Sequence, residues 1–321
     1  MKFACICIGG LNSAMLVQLR FAALDGMAYR EIASTIPPTP ITAWTSAWTG
    51  LDPAEHGKAP GIPGRKKDAT SFWDEMRQQG ISVETYFNTN IDGDVEADIA
   101  FFRLDDLTDL LLAGDLITAQ EEMAKVDLLL EQLQDIPVVI ISAYGINKHF
   151  TAFNVDKFLM MRGLFRLNGR DQIKYDATTA YPINYNGKKP RPTYGINVNS
   201  EMRKDGFLGV AVTRDITGQL LMQLNEVDNI TAQAAHQVYD ISGRYFPYFP
   251  DIVLSSRLGR TCFRSAGGMD QAIFSQYGEY SLSSMGLIAS KPASIIEGVD
   301  HVVMVKKALS RAMQIARSGH E

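Results

Sequence analysis

The amino-acid sequence predicts an α/β protein with a mostly parallel central sheet and helices on both faces, and two apolar runs support this prediction. KFACICI (2–8) predicts a buried first strand, which Gly9 and Gly10 end before apolar residues recur at helical spacing from 13 to 23. IPVVIIS (136–142) is apolar and β-branched, which is typical of a central strand covered on both faces. Because ligands bind at the carboxyl ends of strands in such sheets, we expect the Gly9 turn to border a pocket.

The remaining elements are predicted from apolar periodicity and turn residues, and no linker, repeat or low-complexity segment divides them. Helices are expected at 42–49, 68–79, 115–134, 154–164, 214–225 and 299–317. Strands are expected at 81–87, 98–103, 194–199, 251–256 and 285–290. Residues from about 165 to 200 are expected to form an irregular, pocket-forming segment, and the Gly- and Ser-rich residues 258–283 a loop. We therefore expect a single domain over 1–321.

Composition and charge exclude several classes of partner. The net charge of −5, from 31 basic and 36 acidic residues, gives no electrostatic reason to expect nucleic acid or an anionic membrane. No apolar stretch reaches the roughly 20 residues of a membrane-spanning helix, and the N-terminal apolar run is too short for a signal peptide. Cys5 and Cys7, two apart on one strand face, and Cys262 make no disulfide framework. Together these features predict a cytoplasmic protein.

Five segments contain motifs that occur in the same order in one enzyme family. The first is PPTPITAWTSAWTGLDPAEHG (37–57), with its TG-x-x-P-x-x-HG turn, and the second is ISAYGINKHFTAFNVDKFLMMRGLFRL (141–167). They are followed by TYGINVNSEMRKDGF (193–207), YFPYFPDIVLSS (245–256) and GEYSLSSMGLIAS (278–290). Together they resemble the bacterial type I phosphodiesterase/nucleotide pyrophosphatase branch of the alkaline phosphatase superfamily.

The resemblance implies an alkaline-phosphatase-like sandwich, and in active members a pair of zinc-like ions ~4 Å apart that activates a Thr nucleophile and stabilises the transferred phosphoryl group. Most positions that would hold those ions differ here. Gly9 stands in place of the first Asp, Ala143 and Tyr144 replace an Asp-His pair, and the late His has no counterpart. Asp and His are the ligands that suit zinc. The resemblance therefore implies a degenerate dimetal site and no cofactor.

Two assignments stay open: which residue is the nucleophile, and whether one partly retained pair of ligands binds a cation. Pro40 aligns with the family's Thr, so the flanking Thr39 or Thr42 would have to serve, and Thr42 is the candidate catalytic residue. Asp105 is retained where the family has D-x-x-x-H, and Asp109 replaces the His. The two carboxylates could hold one divalent cation such as Mg²⁺ or Ca²⁺. Alternatively they decorate the N-terminus of a solvated helix, where Asp is favoured.

Other candidate residues follow from the same alignment. Gly9 and Thr39 are candidate ligand contacts, and Asn197, Asn199 and Arg203 match the family's I-N-x-x-G-R region. Arg203 either grips an anion with two bonds or is an ordinary surface arginine. A further candidate is the tyrosine that follows the central strand. Tyr144 either takes part in proton transfer, together with Asp105, or only fills the space that a metal ion would occupy.

Three functions remain open at this stage. The first is a family member that has lost the dizinc site and binds a small anionic or nucleotide-like molecule, or transforms it without metal hydrolysis. The second is a reduced-site phosphodiesterase or phosphatase that uses Thr42 and a single cation at Asp105 and Asp109. The third is a non-catalytic structural or partner-binding protein that keeps only the fold.

Overall fold

The computed structural model of the chain describes residues 1–21, 24–60, 62, 69–87, 96–104, 106–168, 172–183, 191–257, 259–264, 272–275 and 280–318. Within these ranges the chain forms two compact units. The first comprises Met1–Asn147 and Leu282–Glu321, and the second comprises Lys148–Ser281. The prediction of a single domain stays a prediction, because two compact units are compatible with one domain or with two.

The first unit is built on a six-stranded sheet. Its strands are Phe3–Ile8 (β1), Ala28–Ala33 (β2), Val83–Phe87 (β3), Ile99–Leu104 (β4), Val138–Ser142 (β5) and Met285–Lys291 (β15). They lie in the order β2-β15-β5-β1-β4-β3. Strand β1 pairs in parallel with β4 and β5, and β3 pairs in parallel with β4. Only β15 runs antiparallel to its neighbours, so the sheet is mostly parallel, as the sequence predicts.

Helices cover both faces of this sheet. They are Ser13–Leu19 (α1), Pro40–Thr49 (α2), Pro53–His56 (α3), Phe72–Gln78 (α4), Asp106–Ala113 (α5), Leu116–Gln132 (α6) and Val305–Ser318 (α9). Every residue of β1 is buried, which requires apolar cover on each side. Cys5 and Cys7 pack in one cluster with Ala47 of α2 and Leu309 of α9, and their Sγ atoms lie 3.8 Å apart. The expectation that the two cysteines share a face is therefore confirmed.

Helix α2 positions much of the site, and local sequence sets both of its ends. Pro40 occupies the first turn, where its missing N–H removes no helical hydrogen bond. Gly50 ends the helix in the left-handed conformation with φ 72°. The next helix begins with a capping box, in which Asp52 and Glu55 satisfy each other's backbone N–H groups. The TG-x-x-P-x-x-HG run thus encodes one helix stop and the following helix start.

The second unit contains two smaller sheets, one antiparallel in the order β10-β11-β9-β8 and one in the order β12-β7-β13. The strands are Thr151–Asn154 (β7), Ala180–Pro182 (β8), Thr193–Val198 (β9), Ile230–Ala234 (β10), Ile252–Ser256 (β11), Thr261–Arg264 (β12) and Ile273–Ser275 (β13). The helices are Val155–Met161 (α7) and Val210–Asn225 (α8). The chain leaves the first unit within Gly145–Lys148 (β6) and returns within Tyr280–Ser283 (β14).

One sequence prediction about this region is wrong. Residues 258–283 were expected to form a loop, but they contain β12, β13 and β14. Strands β12 and β13 each pair with β7, so backbone hydrogen bonds to a strand far away in sequence stabilise these short segments. Within the described residues, no helix is both long enough and apolar enough to cross a membrane.

Candidate functional site

A cavity of about 520 Å³ lies in the first unit, where β1 and β4 end. Cys7 and Gly9 line it from the end of β1, and Arg103 and Leu104 line it from the end of β4. Its position matches the rule that α/β sheets bind ligands at the carboxyl ends of their strands. The expectation that the Gly9 turn borders a pocket is therefore met.

Among the described residues, five aromatic side chains line the cavity. Trp44 and Trp48, one turn apart on α2, stack with ring centroids 4.9 Å apart and planes inclined by 12°. Trp73 of α4 and Phe101 of β4 pack against Trp48 with centroid separations of 5.3 and 5.4 Å. Tyr144 meets Trp44 edge-on at 6.2 Å. Such walls suit a flat organic group better than a bare ion.

Gly9 and Tyr144 are brought together, as the sequence alignment predicts. Tyr144 is only 3% exposed, and its hydroxyl lies 3.1 Å from the hydroxyl of Thr108 on α5. A Cβ atom built on Gly9 would lie 2.5 Å from the Tyr144 hydroxyl oxygen and closer still to that of Thr108. The two hydroxyls therefore occupy the space into which any side chain at position 9 would project.

Hydrogen bonds fix the loop that holds Tyr144. The Ser142 hydroxyl donates to the Tyr144 carbonyl oxygen at 2.8 Å and accepts from the Leu11 N–H at 2.9 Å. The Gly10 N–H also donates to the Tyr144 carbonyl oxygen, at 3.1 Å. Because these bonds tie the end of β5 to the turn after β1, the tyrosine ring is held in one position beside Gly9.

Thr39 and Thr42 lie next to the cavity but do not line it. Their hydroxyl oxygens are 2.7 Å apart, and Thr42 is fully buried. The residues of this helix start that do face the cavity are Pro40 and Ile41, with Thr45 one turn later. In this structure the Thr42 hydroxyl is therefore directed to Thr39.

Two charged side chains line the cavity, and both are exposed. Arg103 lies over the Phe87 ring with its guanidinium carbon 5.6 Å from the centroid, and Asp109 lies on α5. Asp105 lies outside the described residues, so its predicted pairing with Asp109 stays a prediction. Over the described ranges, no three or more His, Cys, Asp or Glu residues are grouped so that they could hold a metal ion.

The other predicted ligand contacts lie in the second unit. The buried Asn199 donates from Nδ2 to the carbonyl oxygens of Tyr175 and Thr178, at 2.8 and 2.9 Å. Asn197 is partly buried on β9. Arg203 forms an ion pair with Asp251, with 2.9 Å between Nη2 and Oδ2. Asn199 thus has a structural role in binding the backbone, and Arg203 is a partly buried ion-pair partner.

His56 is structural, as expected from the turn it occupies. Its Nδ1 accepts from the Lys58 N–H at 2.9 Å, so the ring proton is on Nε2, which lies 2.9 Å from the Ser46 hydroxyl. Burial, together with the nearby charge of Lys58, lowers the pKa of His56 to about 4. The ring is therefore neutral at physiological pH and does not reach the cavity.

The aromatic wall is the feature that the site predictions missed. All three tryptophans of the chain line this one cavity, together with Phe101 and Thr108. One signal was present in the sequence, because Trp44 and Trp48 are four residues apart on a predicted helix and so share a face. Trp73 and Phe101 come from other elements, and no local pattern joins them to that face.

A mostly parallel sheet, helices on both faces and a cavity at the strand ends are the features of an alkaline-phosphatase-like fold. Comparison with solved structures confirms this fold. Murine ectonucleotide pyrophosphatase/phosphodiesterase 5 is 10% identical with a TM-score of 0.57, covering 98% of this chain and 95% of that one. Phosphonoacetate hydrolase from Sinorhizobium meliloti 1021 is 12% identical with a TM-score of 0.62, covering 96% and 95%.

Those structures include ligand complexes. An inactive variant of murine ectonucleotide pyrophosphatase/phosphodiesterase 5 was solved with AMP, and the S. meliloti hydrolase with phosphonoacetate and with phosphonoformate. No protein-family model matches the present sequence, and no curated protein sequence matches it. At these identities the likeness shows an alkaline-phosphatase-like fold.

Proposed function

We propose that this protein binds a small anionic or nucleotide-like molecule in the cavity of its first unit, or transforms that molecule without metal-dependent hydrolysis. One observation supports this above all. The Tyr144 and Thr108 hydroxyls fill the space in front of Gly9, and they do so in the wall of a cavity large enough for an organic molecule.

The residues around Gly9 do not fit a pair of zinc ions. An aspartate at this position would collide with the two hydroxyls unless both moved. Ala143 offers no side-chain donor atom, and a neutral phenol such as that of Tyr144 is a poor substitute for the His and Asp ligands that zinc sites use. We therefore propose that the dizinc site is lost, and we assign no catalytic step to a metal ion.

The wall and rim of the cavity indicate the class of ligand. Trp44 and Trp48 are only half-buried, so their rings can pack against a flat group such as a nucleobase. Arg103 is the cation among the described lining residues, and a guanidinium can hold a phosphate or carboxylate with two bonds. The solved relatives bound to AMP and phosphonoacetate have ligands of this kind.

Tyr144 supplies the polar contact inside the cavity. A hydroxyl group has one donor and two acceptor positions, so a pair joined by one hydrogen bond can also bond a ligand. Losing one such bond weakens binding by about 1 kcal/mol, which is roughly 5-fold in affinity. Tyr144→Phe keeps the ring packing against Trp44 and removes the hydroxyl, and with it both this contact and the hydrogen bond to Thr108.

The test is a titration of the whole protein in the presence of EDTA with AMP, adenosine and phosphonoacetate, followed by tryptophan fluorescence and calorimetry. Since all three tryptophans line the cavity, AMP binding there should change the emission. Arg103→Gln should weaken AMP binding by roughly 5-fold or more, and adenosine should bind less tightly than AMP. Arg77→Gln, an exposed arginine of α4 outside the cavity lining, is the matched control and should change nothing.

Two results would contradict the proposal. One is the absence of any fluorescence or heat signal with AMP and with phosphonoacetate up to roughly 10 mM, which is weaker than useful binding. The other is protein purified without chelator that holds two equivalents of zinc and hydrolyses chromogenic phosphodiesters.

A further inference from the structure

A second cavity, of about 420 Å³, lies within the second unit, and the proposed function does not use it. One side is helix α8, from which Arg214 lines the cavity. The other side is the segment that leads into β11, with Phe246 and Phe249 in the lining. All of its described lining residues belong to the second unit, so a ligand here would contact none of the residues that line the first cavity.

The described lining has three basic side chains and one acidic side chain. Arg203, Arg214 and His236 all face the cavity, and Asp251 is the acidic residue among the described lining residues. The surroundings have the same sign, because residues 148–281 contain 16 Lys and Arg residues against 12 Asp and Glu residues, although the whole chain has a net charge of −5. A cleft lined by one sign of charge concentrates ligands of the opposite sign.

Asp251 offsets the charge of Arg203, its ion-pair partner, so the lining keeps an excess positive charge from Arg214. The Asp251 Oδ2 atom already accepts from the Val198 N–H at 2.7 Å and from Arg203 Nε and Nη2 at 3.1 and 2.9 Å. Arg203 Nη2 also donates to the Phe249 carbonyl oxygen, at 3.2 Å. These bonds hold the guanidinium plane in place and leave Nη1 with no hydrogen-bond partner among the described residues.

Arg214 and His236 are the adaptable part of the lining. Both side chains are exposed, on α8 and just after β10 respectively, so they can close on a ligand without disturbing the core. Thr217, one turn after Arg214 on the same helix, adds a hydroxyl to the lining. The phenyl rings of Phe246 and Phe249 supply an apolar wall beside these polar groups.

From this arrangement we propose a second ligand site, which takes a small organic molecule with an oxyanion group on an apolar body. The oxyanion lies between Arg203 Nη1, Arg214 and His236, where arginine donors match phosphate or carboxylate oxygens. The apolar body packs on Phe246 and Phe249. Among the described residues, none lines both this cavity and the tryptophan-walled one, so this proposal does not rest on the proposed function.

The probe for this site is phenyl phosphate, with phenol as the neutral counterpart, observed by phosphorus and proton NMR on the full-length Arg103→Gln protein. That background weakens anion binding in the first unit. Arg214→Gln and His236→Gln should each weaken phenyl phosphate binding by roughly 5-fold or more. Arg166→Gln, an exposed arginine of the same unit outside this lining, is the matched control and should leave binding unchanged.

Because tryptophan is absent from residues 148–281, binding here should leave the tryptophan emission unchanged, which separates the two sites. The proposal is overturned if phenyl phosphate does not bind below roughly 10 mM, or if phenol binds equally well. It is also overturned if the Kd is the same in the Arg214→Gln, His236→Gln and Arg166→Gln proteins. Arg214 and His236 are exposed, so a folding defect does not obscure the result.

Discussion

Gly9→Ala is the substitution whose effect follows most directly from the structure. The added methyl carbon would lie 2.5 Å from the Tyr144 hydroxyl oxygen and nearer still to that of Thr108, whereas real contacts of this kind exceed 3 Å. The backbone of Gly9 does not need the left-handed conformation, so the substitution adds bulk without backbone strain. Overpacking of a buried site typically costs about 1–3 kcal/mol, and we expect Gly9→Ala to destabilise the protein by that amount.

The cause can be isolated with a mutant cycle measured by urea denaturation. Thr108→Ala and Tyr144→Phe together remove both oxygen atoms in the way, so in that background Gly9→Ala should recover at least half of the lost free energy of unfolding. Gly218→Ala is the control, because its added carbon meets nothing within 4 Å and it lies inside a helix, where alanine is favoured. Equal stability of Gly9→Ala and the parent protein would refute the packing argument.

Four further outcomes are expected. Burial keeps His56 neutral with a pKa of about 4, below the unfolded value of 6.5, so the unfolded state binds more protons between these values. Stability should therefore fall as the pH drops from 6.5 towards 4, and His56→Gln should flatten that slope in denaturation curves. Asp251→Asn should lower the free energy of unfolding by about 1–3 kcal/mol, since it weakens three hydrogen bonds. Lys125→Met should change it by less than about 0.5 kcal/mol, because its ion pair with Glu122 is exposed. Thr42→Val should leave AMP affinity in calorimetry unchanged within about 2-fold, since the hydroxyl is buried against Thr39, and a larger loss would restore Thr42 as a functional residue.

The predictable strands of the sheet are those whose own sequence indicates that they are buried. The apolar runs of β1 and β5 require cover on both faces, and they are neighbours in the centre of the sheet. The antiparallel insertion of β15 between β2 and β5 was not predictable, because strand order depends on contacts far apart in sequence. Strand β12 was not predicted for the same reason. It pairs with β7, which is far away in sequence, so the local composition does not show the pairing.

The candidate site was predictable only in part. The aligned motifs predicted that Gly9 and Tyr144 lie close together. Each residue follows a strand, and the motifs identify where those strands end. The alignment also grouped Arg203 with them, yet that residue lines a different cavity. Thr108 was missed because nothing local marks a helix threonine as the partner of a tyrosine 36 residues away. The aromatic wall needs four elements to come together, which only tertiary structure shows.

The packing in front of Gly9 also affects how this site can change over generations. An aspartate acquired at position 9 as a first step would place a carboxylate where two hydroxyls already lie, and so would destabilise the protein. Such a residue could be accepted only after Tyr144 and Thr108 had become smaller or had moved. The order in which substitutions occur therefore limits which side chains position 9 can acquire.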